Sequence, residues 1–160
     1  MPIALYRVDD RLIHGQVVEG WVPELKINVI AVISDDIFKD ELRKNIMRFS
    51  APENIKLDFL NLESAVNYLK ENINSKYNVL VLFSNLKDVV GILESGVEIK
   101  SLNIGGMHYS AGKNISLGKA IFLSDEDKDY LRAIEKKGVK IEGRGIPQDT
   151  PLDILESINL

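Results

Sequence analysis

Asn28-Val29-Ile30-Ala31-Val32-Ile33-Ser34 holds five consecutive apolar residues, four of them β-branched. The run is too short for a buried helix and has the composition of a strand. An unbroken apolar run is what a strand needs when both of its faces are covered, because alternate side chains point to opposite sides. Downstream, Asp36 to Phe49 has helical spacing, and Lys56 to Asn61 turns extended again. Strand, helix and strand in succession predict a parallel pair joined by a crossover. The same reading extends outward in both directions. Ile3 to Val8, Asn78 to Ser84, Ser101 to Ile104, Ala120 to Leu123 and Val139 to Glu142 are further strands. Gln16 to Leu25, Leu62 to Asn72, Leu86 to Glu94 and Asp125 to Lys137 are helices, with Leu62, Ala65, Val66 and Leu69 forming one apolar stripe. Ser124 caps the last of these, with Asp127 at the capping-box position. Gly143 to Pro147 is a loop and Pro151 to Ile158 a short terminal helix. The expected fold class is α/β: a single domain over residues 1–160, with a mainly parallel central β-sheet and helices on both faces.

Composition narrows the chemistry. The 160 residues include no cysteine, which excludes disulfides, thiolate nucleophiles and cysteine metal sites. A net charge of -4 gives no bulk attraction to nucleic acid. Neither a leader pattern nor an apolar run of roughly 20 residues is visible, so the expected location is cytoplasmic, with membrane contact through partners.

In open parallel sheets, ligands sit outside the carboxyl ends of the strands. That places Asp9 to Gly15, Ser34 to Asp36, Ser84-Asn85 and Gly105 to Gly112 on one rim. The chemistry concentrates in Arg7-Val-Asp-Asp-Arg-Leu-Ile-His-Gly-Gln-Val-Val18, where the first strand ends and the first helix starts. Phosphoryl transfer through a histidine needs a neutral ring nitrogen, cations and N–H donors for the phosphoryl oxygens, and a fixed ring. His14 supplies the nitrogen, Arg11 the cation, and Gly15, Gln16 and Val17 the N–H groups. Gly15 permits close backbone approach, and Asp9 or Asp10 could orient the ring or an arginine. Ser84 and Asn85 are candidate donors, although both residue types also suit turns. His108 sits on the same rim, Gly105 and Gly106 suit a tight turn, and Trp21 suits core packing. Asp9-Asp10 also resembles half of a magnesium pocket of the receiver type, but the third strand ends in Asn61, which cannot be a phosphoacceptor.

Arg-Val-Asp-Asp-Arg-Leu-Ile-His-Gly-Gln-Val resembles the active-site segment of the IIB components of the mannose, fructose and sorbose family of the bacterial phosphotransferase system. Val32-Ile-Ser-Asp-Asp, Val81-Leu-Phe-Ser-Asn, Leu102-Asn-Ile-Gly-Gly-Met-His and Arg144-Gly-Ile-Pro resemble later family features in the same order. The resemblance implies a phosphohistidine intermediate at His14, on the ring nitrogen nearer the backbone, with Arg11 on the phosphate side. It implies a phosphorylated IIA protein as donor, IIC and IID membrane subunits and a sugar as acceptor side, and it allows a homodimer. It implies no metal and no organic cofactor. Two other readings stand beside it: a histidine-dependent phosphatase, and a non-catalytic ligand-binding or regulatory module.

Overall fold

The structure is a computed structural model and describes residues 3–72 and 75–158. Among the described residues nine strands form, in chain order: β1 (Ile3–Asp9), β2 (Val29–Ile33), β3 (Lys56–Leu60), β4 (Val79–Phe83), β5 (Ser101–Gly106), β6 (Ile115–Leu117), β7 (Ile121–Leu123), β8 (Lys140–Gly143) and β9 (Leu152–Asp153). Seven of them make one sheet in the order β3-β2-β4-β1-β5-β8-β9, and β6 and β7 make a separate antiparallel pair. Every neighbouring pair in the large sheet is parallel except β8 with β9.

The helical elements are α1 (Val22–Glu24), α2 (Asp35–Phe38), α3 (Glu41–Ser50), α4 (Leu62–Glu71), α5 (Leu86–Glu94), α6 (Asp125–Lys136) and α7 (Ile154–Ser157), with a π-type turn over Gln16–Trp21 ahead of α1. They cover both faces, and the strand side chains sort accordingly. Val29, Ala31 and Ile33 pack with residues of α4 and α5, while Ile30 and Val32 pack with Val17, Ile37 and Met47 on the other side. β4 sorts likewise, Val79, Val81 and Phe83 against Leu80 and Leu82. The unbroken apolar runs are thus two core faces interleaved.

Several expectations change. The helix expected over Asp36 to Phe49 is two helices, because the chain carries two caps: Ser34 Oγ accepts from Ile37 N–H, and Asp40 Oδ1 accepts from Arg43 N–H. Of the expected Gln16 to Leu25 helix, Gln16–Trp21 takes π geometry and only Val22–Glu24 is α-helical, with Pro23, which has no N–H to donate, in that short helix. Ala120 to Leu123 does hold a strand, but it pairs with β6, a strand not foreseen, outside the large sheet. The expected terminal helix begins instead as β9, with α7 restricted to four residues behind the Asp153 cap. Gly105 and Gly106 make no tight turn; they are the last residues of β5. The Ser124–Asp127 capping box forms as expected.

Candidate functional site

β1 lies between β4 and β5, and its carboxyl end carries the chemistry. Arg7 and Asp9 stand two residues apart and therefore share a face; both are fully buried. The Arg7 guanidinium lies flat on the backbone of the neighbouring strand at Gly105, where an added Cβ would fall 1.9 Å from Nη2. That close approach, not a turn, is what requires glycine at 105. Arg7 Nη1 donates to Asn103 Oδ1 at 2.6 Å and to the Arg144 carbonyl at 2.9 Å. Its Nη2 donates to Asp9 Oδ2 at 2.9 Å and, more weakly, to Gln16 Oε1 at 3.4 Å. Arg7 and Arg144 each place a guanidinium 5.7 Å from the centre of the Trp21 ring, and Trp21 Nε1 donates to the Gly145 carbonyl at 2.9 Å.

Beyond Asp9 the chain turns sharply, with Leu12 N–H donating to the Asp9 carbonyl at 2.9 Å. Leu12 takes a left-handed conformation, φ 58°, which costs a non-glycine residue about 1–2 kcal/mol. Its side chain is buried among Ile13, Val17, Ile30 and Leu82, and that packing holds the strained residue in place. The turn brings His14 back over β1, so that its Nε2 lies 2.6 Å from Asp9 Oδ2. Asp9 Oδ1 accepts from Arg11 N–H at 3.1 Å.

Burial pushes the Asp9 carboxyl up, but the His14 hydrogen bond and the Arg7 charge outweigh it, so it sits below the usual carboxylate range. Burial lowers Arg7, and Asp9 opposes that shift. An arginine in such a pair stays charged. An ionised Asp9 can only accept, so the proton between the two groups belongs to His14 Nε2. In the neutral ring the lone pair is then on Nδ1, the nitrogen nearer the backbone. The His14 side chain is 14% exposed.

The other expected residues divide. Asp9, not Asp10, holds the ring. Asp10 binds the His108 backbone N–H at 2.7 Å through Oδ2, and its Oδ1 meets His108 Nδ1. The pair fastens the loop after β5 to the loop after β1. Gln16 belongs to the network through Arg7. The Arg11 side chain is exposed, and among the described residues it has no hydrogen-bond partner. Gly15 is in the right-handed helical region, and nothing but Glu19 Oε2, at 4.0 Å, lies near where its Cβ would be. The Val17 N–H is not available to a phosphate, because it donates to the His14 carbonyl at 3.0 Å. Ser84 follows Phe83, which pairs with Val8, so it stands level with Asp9 on the adjacent strand. Its recorded contact is local, from Asn85 Nδ2 at 3.3 Å. Missed from sequence were the supports: Asn103, Trp21, Arg144 and the steric role of Gly105. A basic residue two positions before the acidic end of a strand was the available signal for Arg7.

Over residues 3–160 the chain matches the family described as PTS system sorbose subfamily IIB component. The chain belongs to this family. The sorbose-specific EIIB component of Klebsiella pneumoniae is 39% identical over 159 residues, 99% of this chain and 96% of that protein. The crystal structure of the IIBSor domain of the sorbose permease from the same organism superposes with a TM-score of 0.91, covering 99% of this chain and 97% of that one. The mannose-specific EIIAB component of Escherichia coli (strain K12) is 31% identical over 99% of this chain, which spans 49% of that longer protein. IIB components of this system are phosphotransferases, and the mainly parallel central sheet with flanking helices seen here is the IIB fold.

Proposed function

We propose that this IIB component carries a phosphoryl group on His14 Nδ1, taking it from a phosphohistidine on a IIA protein and passing it to a sugar during uptake through IIC and IID membrane subunits. The observation that carries the reading is the hold of Asp9 on Nε2, which leaves Nδ1 as the nucleophile. In the first step a bond forms between Nδ1 and phosphorus while the bond from phosphorus to the donor's ring nitrogen breaks, and the donor nitrogen keeps the electron pair. The His14 ring, still protonated on Nε2, becomes cationic, and the buried Asp9 carboxylate opposes that charge. In the second step a sugar hydroxyl oxygen bonds to phosphorus, its proton leaves to a base on the acceptor side, and Nδ1 recovers its lone pair.

Arg11, with its free exposed guanidinium, offsets the phosphoryl charge. Arg7 and Gln16 are positioning residues that act through Asp9. Gly15 leaves room for a donor or acceptor to approach, and Ser84 and His108 border the same rim. Neither step calls for a metal or an organic cofactor. Donor and acceptor dock in turn at this rim on the cytoplasmic side of the membrane, through contacts of modest area. Residues 1–160 act as one domain.

The test incubates the protein with phosphoenolpyruvate, the general phosphotransferase proteins and a matching IIA protein, with mass spectrometry under alkaline conditions. One added phosphate, labile to acid and absent in His14→Ala, is the expected result. Equal labelling of the variant rejects His14 as the carrier. Steady release of inorganic phosphate from phosphomonoesters assigns the site to a hydrolase instead.

A further inference from the structure

Among the described residues, six large apolar side chains are exposed, and four of them lie on α2 and α3: Phe38, Leu42 at 70%, Ile46 at 55% and Phe49 at 92%. Leu42, Ile46 and Phe49 follow the spacing of one helix face. That face is opposite the buried one, which Met47 supplies. Lys44 lies over Phe38, 4.9 Å from its ring centre, and Lys44 and Arg48 both reach over Phe59, 5.8 and 5.2 Å from its ring centre, so these two cations cover Phe38 and Phe59 rather than Leu42, Ile46 and Phe49. Core packing therefore gives no reason for the outer stripe.

Charge decides what covers it. α3 carries three cations, Arg43, Lys44 and Arg48, against one carboxylate, Glu41, with Lys39 and Asp40 ahead of it, in a chain whose net charge is -4; Asp35 and Asp36 lie at the far end of α2, so the positive excess belongs to α3. Asp40 is further committed to its cap at Arg43 N–H. The segment is thus a basic island with an apolar crest on an acidic protein. A second copy fits poorly, because a two-fold pairing brings this basic helix against itself. Four side chains of this size offer on the order of 500 Å² per copy. A pair would bury about 1,000 Å², under the roughly 1,200–2,000 Å² of stable interfaces. A lipid surface has no such minimum, and an apolar crest flanked by cations is the pattern of a helix lying in an anionic interface.

We propose that α3 seats the protein directly on an anionic lipid surface, with Leu42, Ile46 and Phe49 entering the headgroup layer and Lys39 and Arg43 facing lipid phosphates. The chain lies on the membrane and does not span it: among the described residues no helix is long and apolar enough to cross. α3 starts beside the rim, since Asp40 follows the short helix after β2. Seated flat, it keeps the carboxyl ends of the strands at the bilayer edge. The contact is additional to docking on membrane subunits, which the sequence alone suggests.

The experiment is co-sedimentation with vesicles of phosphatidylcholine, alone or with roughly one third phosphatidylglycerol, at low and physiological salt. Expected is binding to the anionic vesicles that weakens with salt, is lost in Phe49→Glu, and falls roughly fivefold per cation in Lys39→Gln and Arg43→Gln. All three positions are exposed, and circular dichroism verifies the fold. No binding at low salt, binding indifferent to lipid charge, or binding unchanged in Phe49→Glu overturns the proposal. A dimer in sedimentation equilibrium that Phe49→Glu dissolves also overturns it, assigning the face to a second copy. None of these readouts depends on His14 chemistry.

Discussion

At His14 the decisive quantity is which nitrogen holds the proton, and a single carboxylate sets it. Asp9→Asn keeps the size of the side chain but can present either an amide oxygen or an amide N–H to Nε2, so the tautomer is no longer fixed. His14 phosphorylation in this variant is expected to slow by on the order of 10²-fold, at unchanged donor concentration, in a single-turnover quench assay. A rate within twofold of the parent means that the ring is oriented by something else. Gly105→Ala tests the layer behind. The new methyl would occupy the place of the Arg7 guanidinium, 1.9 Å from Nη2 and 2.0 Å from Cζ. Displacing Arg7 leaves the buried Asp9 with only His14 and the Arg11 N–H as partners, and breaking a buried pair typically costs about 3–5 kcal/mol. A urea titration is expected to show a loss of that order; a loss below about 1 kcal/mol means that Arg7 moves aside freely. His14 itself was legible in the sequence because its neighbours are the residue types that phosphoryl transfer demands. Gly105 was not, because its reason is a contact with a side chain 98 positions earlier across a strand pair, and a glycine pair reads locally as a turn.

The elements were readable wherever one physical signal acted alone. β2 and β4 announced themselves because both faces are buried, and α6 because its cap box is contained in four residues. Errors came where two local signals competed. Asp40 stops one helix and starts another within an apolar pattern that runs through both, so periodicity alone merged α2 with α3. β6 is three residues long and finds its partner only in the β7 hairpin, which no pattern of that length can specify. α6 also supports a prediction of its own. Asp127 Oδ2 accepts both from the Ser124 backbone N–H at 2.9 Å and from Lys113 Nζ at 2.8 Å, and the Lys113 and Asp127 side chains are largely buried. Ser124→Ala removes only the cap, about 1 kcal/mol. Asp127→Ala removes the reciprocal cap and strands Lys113, so its loss is expected to reach about 2–3 kcal/mol. Equal losses for the two variants, measured by urea unfolding, indicate that the Lys113 contact contributes nothing.

Across the whole molecule, the site network is also a clasp. Arg7 joins β1 to Asn103 of β5 and to the Arg144 carbonyl beyond β8, so three parallel strands meet in one buried cation. The sheet's strand order could not be read from sequence, since crossover helices fit either side of a strand equally well until side chains such as Arg7 choose neighbours. This coupling ties stability to the ionisation of Asp9. Its carboxyl is lowered in the folded protein, so the unfolded chain binds the proton first as the medium is acidified. The stabilisation is complete above the ordinary aspartate value of about 3.9 and is lost as pH falls from there through the lower folded value. Urea unfolding from pH 6 downward is therefore expected to give an acid limb that is steeper for the parent than for Asp9→Asn, with Asp9→Asn already less stable near neutrality. Burial acts in the opposite direction and is the largest single influence on this group. If it prevailed, the carboxyl would lie above 3.9, the folded protein would take up the proton first, and the parent would gain stability relative to Asp9→Asn on acidification. The sign of that difference between the two limbs distinguishes an ionised Asp9 clasp from a protonated one, and with it the tautomer on which the proposed chemistry of His14 depends.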